Sequence, residues 1–205
     1  MRKKIVITGG LGYIGSELCK LYSGVSWHHA IKVVDNRFIS ERVNQLRSWN
    51  IDFIHGDILD KELVKKHFKD ADIVHHLAGV TDVPRTKSES NEEKDNKIRL
   101  VAEQGTKNIL NAISDKCKII FPSTHVVYEG IDNVRTNIKD DESLKPVLSY
   151  SSSKAFNEQQ LKESGKNYII LRLGSVYGYS NDSMRIDIMP NLFSKIASQN
   201  GTLKL

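Results

Sequence analysis

Short apolar runs alternate with helix-patterned stretches along the whole chain, and this predicts an α/β protein built on a doubly wound parallel sheet in three α/β/α layers. Three observations carry the prediction. Six apolar runs have strand length, several of them continuous Val/Ile stretches of the kind covered on both faces. A helix-period segment separates most of them, and right-handed crossovers then favour winding in both directions from a central strand. A glycine-rich turn joins the first strand to the first helix.

In order, the strand candidates are Lys4–Thr8, Ile31–Asp35, Asp52–His55, Asp72–Leu77, Lys118–Pro122 and Tyr168–Leu173. The helix candidates are Tyr13–Tyr22, Ser40–Ser48, Lys61–Phe68, Lys97–Ser114 and Tyr150–Ser164. Met184–Gln199 reads as one further helix, followed by Thr202–Leu205 as a strand start. No repeat and no linker interrupts the pattern.

The composition fits one sizeable domain: 205 residues, 39% hydrophobic and 27% charged. Cys19 and Cys117 lie in apolar segments and read as reduced core thiols, which makes a cytoplasmic location the expectation. No apolar run reaches the ~20 residues of a membrane span. Met1-Arg2-Lys3-Lys4 is basic, but only Ile5-Val6-Ile7 follows before the glycines, so no signal peptide is expected. The net charge of +5 is dispersed. Even the densest stretch, Arg85 to Arg99, interleaves Arg85, Lys87, Lys94, Lys97 and Arg99 with Glu89, Glu92, Glu93 and Asp95. It reads as a solvated loop entering a helix, and no nucleic-acid partner is expected.

Thr8-Gly9-Gly10-Leu11-Gly12-Tyr13-Ile14-Gly15 places Gly9, Gly12 and Gly15 between a strand and a helix. Gly9 permits a tight turn, Gly12 a close approach of the backbone to a pyrophosphate, and Gly15 close packing of helix on sheet. The anion would sit at the helix N-terminus, where free N–H groups and the macrodipole favour negative charge. The second strand ends in Asp35, a little beyond the usual ~20-residue spacing for an acid that accepts from the adenosine ribose hydroxyls. That acid favours NAD over NADP, although Arg37 is of the type that accommodates a 2′-phosphate.

Tyr150-Ser151-Ser152-Ser153-Lys154 opens the fifth helix and puts a phenol and an ammonium on one helical face. A nearby cation lowers a tyrosine pKa and suits Tyr150 to acid/base work on a carbinol proton. Lys154 could also hold the nicotinamide ribose. Ser123 and Thr124, at the end of the fifth strand, supply hydroxyls beside the cofactor crevice.

Taken together these motifs resemble the extended short-chain dehydrogenases/reductases, specifically the NAD-dependent sugar epimerases/dehydratases. The likeness runs in order through Thr8–Gly15, Asp35-Asn36, Gly56-Asp57-Ile58, His76-Leu77-Ala78-Gly79, Gly105-Thr106-Lys107-Asn108, Pro122–Tyr128, Tyr150–Lys154 and Leu171-Arg172 through Val176-Tyr177-Gly178. It implies a Rossmann-type NAD-binding domain over residues 1–180, with 181–205 beginning a C-terminal substrate-binding region that is cut short. It implies Thr124, Tyr150 and Lys154 as the catalytic set. The implied cofactor contacts are Gly9, Gly12, Tyr13, Ile14, Gly15, Asp35, Asn36, Asp57, Ile58, Leu77, Ala78, Gly79, Ser123, Tyr150, Lys154 and Leu173. His125 and Ser175 are the substrate candidates. A nucleotide sugar is the implied substrate, and a homodimer the implied assembly. Tyr150 would take a sugar hydroxyl proton while hydride moves to NAD and later returns.

Some residues depart from the family pattern. Its 4,6-dehydratase branch carries Thr-Asp-Glu at the end of the fifth strand, whereas Thr124 is followed by His125 and Val126, which disfavours that chemistry. Ala102 and Ser175 stand where asparagines are common, and Glu129 is an extra residue between Tyr128 and Gly130. His75 and His76 are adjacent on a strand and must face opposite ways, and no His/Cys spacing suits a metal. The same fold could also serve a non-catalytic NAD(P)-binding regulator or an RNA-binding protein, against which the Thr124/Tyr150/Lys154 set argues.

Overall fold

The computed structural model describes residues 2–80, 89–180 and 184–203. Six strands form one sheet: β1 (Lys4–Thr8), β2 (Ala30–Asp35), β3 (Asp52–His55), β4 (Ile73–His76), β5 (Lys118–Thr124) and β6 (Asn167–Leu173). All pairs are parallel, in the order β3-β2-β1-β4-β5-β6. The order reverses between β1 and β4, which creates a crevice at the carboxyl ends of these strands. Six α-helices complete the fold: α1 (Tyr13–Ser23), α2 (Ser40–Ser48), α3 (Lys61–Phe68), α4 (Glu92–Ala112), α5 (Ser149–Glu163) and α6 (Met189–Ser198).

The period-2 alternation of the strands divides the core between the two faces. Ile5 and Ile7 of β1 pack with Cys19 of α1 and with Val43 and Leu46 of α2. Val6 points the other way and packs with Val64 and Phe68 of α3, Ile109 of α4 and Leu161 of α5. The expected three-layer α/β/α arrangement is therefore present. Both cysteines are buried free thiols, and burial pushes Cys19 up to about 12 and Cys117 up to about 11. Among the described residues no helix is long and apolar enough to cross a membrane.

Several boundaries differ from the sequence expectations. Helix α4 begins at Glu92 instead of Lys97, because the Asn91 side chain accepts from the Lys94 amide, and Glu92, Glu93 and Asp95 lie in its first turn. Helix α6 begins at Met189 instead of Met184, with Pro190 in its first turn where the missing N–H costs nothing. Residues 202–203 are not in a strand. Arg85 and Lys87, in the stretch expected to be a solvated loop, lie outside the described residues.

Candidate active site

At the carboxyl end of β1 the chain turns through Gly9, whose φ of +67° is left-handed and whose Cβ, if present, would lie 2.8 Å from the Ala78 amide nitrogen. A Cβ on Gly15 would overlap the Gly9 carbonyl oxygen. Side chains are thus excluded at both positions, and α1 starts directly against the sheet. Gly12 occupies the N-cap of α1 and offers no side-chain cap. The first-turn amides of Tyr13, Ile14 and Gly15 therefore have no intrahelical partner. These three residues line a cavity of about 450 Å³ that extends along the crevice to Thr124, Tyr150 and Lys154.

Asp35 ends β2 as a buried carboxylate. It accepts from the Leu11 amide at 3.0 Å and from the Arg37 amide and Nε at 3.0 and 3.3 Å. It thereby ties the glycine loop to the β2–α2 connection, with Arg37 folded back on it. Asn36 donates to the Asp57 carboxylate at 2.9 Å. Asp35, Asn36, Asp57 and Ile58 cluster at the ends of β2 and β3, outside the cavity lining. Ile58 is buried against Gly105, where a Cβ would collide with its side chain.

Behind the loop runs a buried polar chain that the sequence reading did not anticipate. The Thr8 hydroxyl accepts from the Ala78 amide at 2.9 Å and meets His76 Nδ1 at 3.0 Å. His76 Nε2 meets the Thr106 hydroxyl at 2.9 Å, and Asn157 of α5 donates to the same oxygen at 3.0 Å. A neutral imidazole satisfies both neighbours. Burial, followed by the positive Lys154, pushes His76 down to about 3. His75 faces the opposite way and meets the Tyr22 hydroxyl at 2.8 Å, as strand alternation requires.

On the far wall, Tyr150 and Lys154 lie one turn apart on α5 and both line the cavity. Lys154 Nζ donates to the Pro122 carbonyl at 2.8 Å and sits 5.9 Å from the Tyr150 ring centroid. Its burial lowers it to about 8, although Glu158 opposes the shift. The sequence argument expects a lowered Tyr150, but the structure differs: burial pushes the phenol up, and the cation acting against this is Arg185 instead of Lys154. The reason is geometric, because the ammonium is held on the Pro122 carbonyl and over the Phe121 ring at 4.4 Å.

Thr124 is buried, lines the cavity and accepts from the Val126 amide at 3.3 Å, starting a 3₁₀ turn over His125–Tyr128. Ser123 lines the cavity as well, and its hydroxyl donates to Glu158 at 2.6 Å. Glu158 is fully buried and takes a bidentate pair from Arg172 at 2.6–3.2 Å. Leu77, Gly79, Leu173 and Ser175 line the cavity, whereas Ala78 and His125 do not. The exposed His125 ring lies 3.2 Å from the Leu173 carbonyl.

The C-terminal segment closes one end. Arg185 and Ile188 line the cavity, and Asn191 donates to the Arg185 carbonyl at 2.8 Å. Asn191 also accepts from the Gly178 amide at 2.9 Å, while the Tyr13 hydroxyl donates to the Gly178 carbonyl at 2.6 Å. Among the described residues no group of three His, Cys, Asp or Glu side chains could hold a metal ion.

An uncapped helix N-terminus, a glycine cradle that side chains would fill and a buried acid at the end of β2 together fit a dinucleotide.

Residues 5–205 match the model of the NAD dependent epimerase/dehydratase family. A dTDP-D-glucose 4,6-dehydratase of Dictyostelium discoideum is 32% identical over 197 residues, which cover 86% of this chain and 44% of that protein. A putative UDP-glucose 4-epimerase of Methanocaldococcus jannaschii is 30% identical over 87% of this chain and 57% of its own length. Among solved structures, the Brucella ovis UDP-glucose 4-epimerase in complex with NAD superposes with a TM-score of 0.69 at 27% identity, over 87% of this chain and 54% of that one. The Bacillus cereus UDP-glucuronic acid 4-epimerase shares the fold with a TM-score of 0.78 at 23% identity, over 98% and 65%. The chain spans about half the length of the curated relatives it matches. A glycine cradle, a tyrosine–lysine helix and a match over nearly the whole sequence converge, and the chain belongs to the NAD dependent epimerase/dehydratase family.

Proposed function

We propose that this chain carries the cofactor and acid/base half of a nucleotide-sugar epimerase, with Tyr150 as the proton-transfer group. One observation carries the reading: Thr124, Tyr150 and Lys154 share a cavity with the bare N-terminus of α1, at the point where the sheet order reverses. The relatives named above are called after sugars on UDP or dTDP, which supports a nucleotide sugar for this chain.

In this reading the amides of Tyr13, Ile14 and Gly15 receive the pyrophosphate of NAD, and Asp35 uses its remaining lone pairs on the adenosine ribose. Bound NAD supplies an acceptor for the hydride of a sugar carbinol and afterwards a donor that returns it. Tyr150, ionised to the phenolate, takes the carbinol proton at its oxygen, and as the neutral phenol it gives that proton back to the sugar oxygen when the hydride returns. The buried phenol holds its proton tightly, so transfer depends on positive charge brought close to it. Lys154 and Arg185 are the candidates, with Lys154 also reaching a ribose hydroxyl. Thr124 orients the reacting sugar oxygen. Ser175 and the segment from Arg185 to Ile188 form the substrate side, which supports a substrate-binding region beginning after residue 180. Elimination of water would need an additional acid and base, and Thr124 is followed by His125 and Val126 instead. This favours epimerisation over 4,6-dehydration.

Calorimetry with NAD and turnover of UDP-glucose or UDP-glucuronic acid test the proposal. Tyr150→Phe is expected to bind NAD as the parent does and to lose about 10²–10⁴-fold in turnover. Unchanged turnover in that variant would remove Tyr150 from the mechanism. Absence of NAD binding by the parent chain would remove the cofactor assignment.

A further inference from the structure

Glu129, the residue that departs from the family pattern between Tyr128 and Gly130, is held more tightly than its position after a turn would suggest. Its Oε1 accepts from the amides of Val147 at 2.8 Å and Leu148 at 2.7 Å, and from the hydroxyl of Ser151. Those donors are the entrance to α5: Leu148 is its N-cap and has no side-chain acceptor of its own, and Ser151 lies in its first turn. The backbone on either side of Glu129 is locked to the same segment. Lys145 donates to the Val127 carbonyl, and Gly130 donates to the Lys145 carbonyl, each at 2.8 Å. A Cβ at Gly130 would lie 2.7 Å from the Lys145 oxygen, so glycine is needed for Glu129 to come this close.

The mechanical consequence concerns two elements. Thr124 starts the 3₁₀ turn, Glu129 ends it, and Glu129 lies against the helix that begins one residue before Tyr150. All three side chains line the same cavity. We propose that Glu129 is a positioning residue for Tyr150: a carboxylate cap on the catalytic helix that sets the spacing between the Thr124 hydroxyl and the Tyr150 phenol. This rests on the reading of Tyr150 as the acid/base group.

The charge suits the task, since a carboxylate at a helix N-terminus gains from the dipole and its hydrogen bonds are charge-assisted. A role for Glu129 as proton donor fits less well. Burial raises its carboxyl, but the hydrogen bonds from Ser151, Leu148 and Val147 outweigh this and leave it below the usual range, ionised at neutral pH.

The test compares Glu129→Ala and Glu129→Gln in the full chain by hydrogen exchange at Val147 and Leu148, by the ¹³Cζ resonance of Tyr150 (assigned with Tyr150→Phe), and by NAD affinity. Glu129→Ala is expected to speed exchange at both amides about 10- to 100-fold, to shift or broaden the Tyr150 resonance, and to leave NAD affinity within about threefold. Turnover of UDP-glucose should fall about 10²-fold with KM little changed. Glu129→Gln keeps an acceptor oxygen and should restore most of the Tyr150 signal. Ser151 Oγ also lies within reach of the Val147 and Leu148 amides, so should the alanine variant fail to fold, Glu129→Asp, whose shorter side chain withdraws the carboxylate while Ser151 stays, carries the same comparison. A Tyr150 resonance identical to the parent's in Glu129→Ala, or in Glu129→Asp where that variant stands in, overturns the proposal. This outcome is separate from failure of the acid/base reading, which appears as unchanged turnover in Tyr150→Phe.

Discussion

Strands β1 and β6 are similar in sequence character and opposite in surroundings. Lys4–Thr8 is buried from Ile5 onward, with helices on both faces. Asn167–Leu173 is as apolar, yet Tyr168, Ile169 and Leu171 are 37–44% exposed. The β1 side of the crevice is held by apolar burial on two faces. The β6 side adds to its ladder with β5 and the packing of Ile170 a buried ion network, in which Arg172 of β6 pairs with Glu158 of α5, and Glu158 also takes the Ser123 hydroxyl. The glycine-loop side of the site therefore combines apolar burial on both strand faces with the polar bonds of Asp35 and Thr8. The side carrying Tyr150 relies more on directed polar bonds at its outer edge, which set orientation more finely and fail more abruptly when one partner is removed.

The sharpest way to break this contrast is Glu158→Gln. Removing the charge leaves Arg172 without its buried partner, and the expected loss of stability is about 3–5 kcal/mol by denaturant titration. A loss no larger than that of an exposed ion pair, roughly 1 kcal/mol or less, would show that the β6 side does not depend on the network.

A matched pair of truncations tests the packing half. Ile7→Ala on β1 should cost about 2–5 kcal/mol, and Leu171→Ala on β6 about 1 kcal/mol or less. Equal losses would contradict the difference in burial. A chemical shift survey of the Leu171→Ala variant should show changes confined to the β6 edge.

A further test is set by pH. Burial holds His76 down at about 3, against 6.5 for the unfolded chain. Between those values the unfolded chain binds a proton that the folded chain refuses, so stability is full above about pH 6.5 and falls as acid is added. The loss reaches about 2 kcal/mol at pH 5. His75 is lowered by burial as well and adds to the slope in the same sense. His76→Gln should remove the His76 share of the slope and keep that of His75. An unchanged slope would place the proton uptake elsewhere.

Much of the site was legible in the residues. The glycine spacing, the acid ending β2 and the Tyr150/Lys154 pair are local patterns, each readable within one turn or one strand end. The glycine turn and the Tyr150/Lys154 pair meet in one cavity, with Asp35 tied to the glycine loop beside it, because parallel strands deliver every βα junction to the same edge of the sheet. The electrostatics were less legible. The expectation that Lys154 lowers Tyr150 assumed that residues four apart must interact, whereas the ammonium finds the Pro122 carbonyl, brought in by β5. The roles of Glu129 and Glu158 were invisible because their partners lie many positions away, and no periodicity marks such pairs.

The amino-acid sequence by itself determined the α/β alternation, the phosphate-loop chemistry and the identity of the acid/base candidates, because these depend on short-range spacing and backbone freedom. Only the tertiary structure decided which apolar strand is covered, which carboxylates are buried and which cation faces the phenol. Those are properties of what packs against a residue from distant parts of the chain, and two segments of equal hydropathy can meet different neighbours.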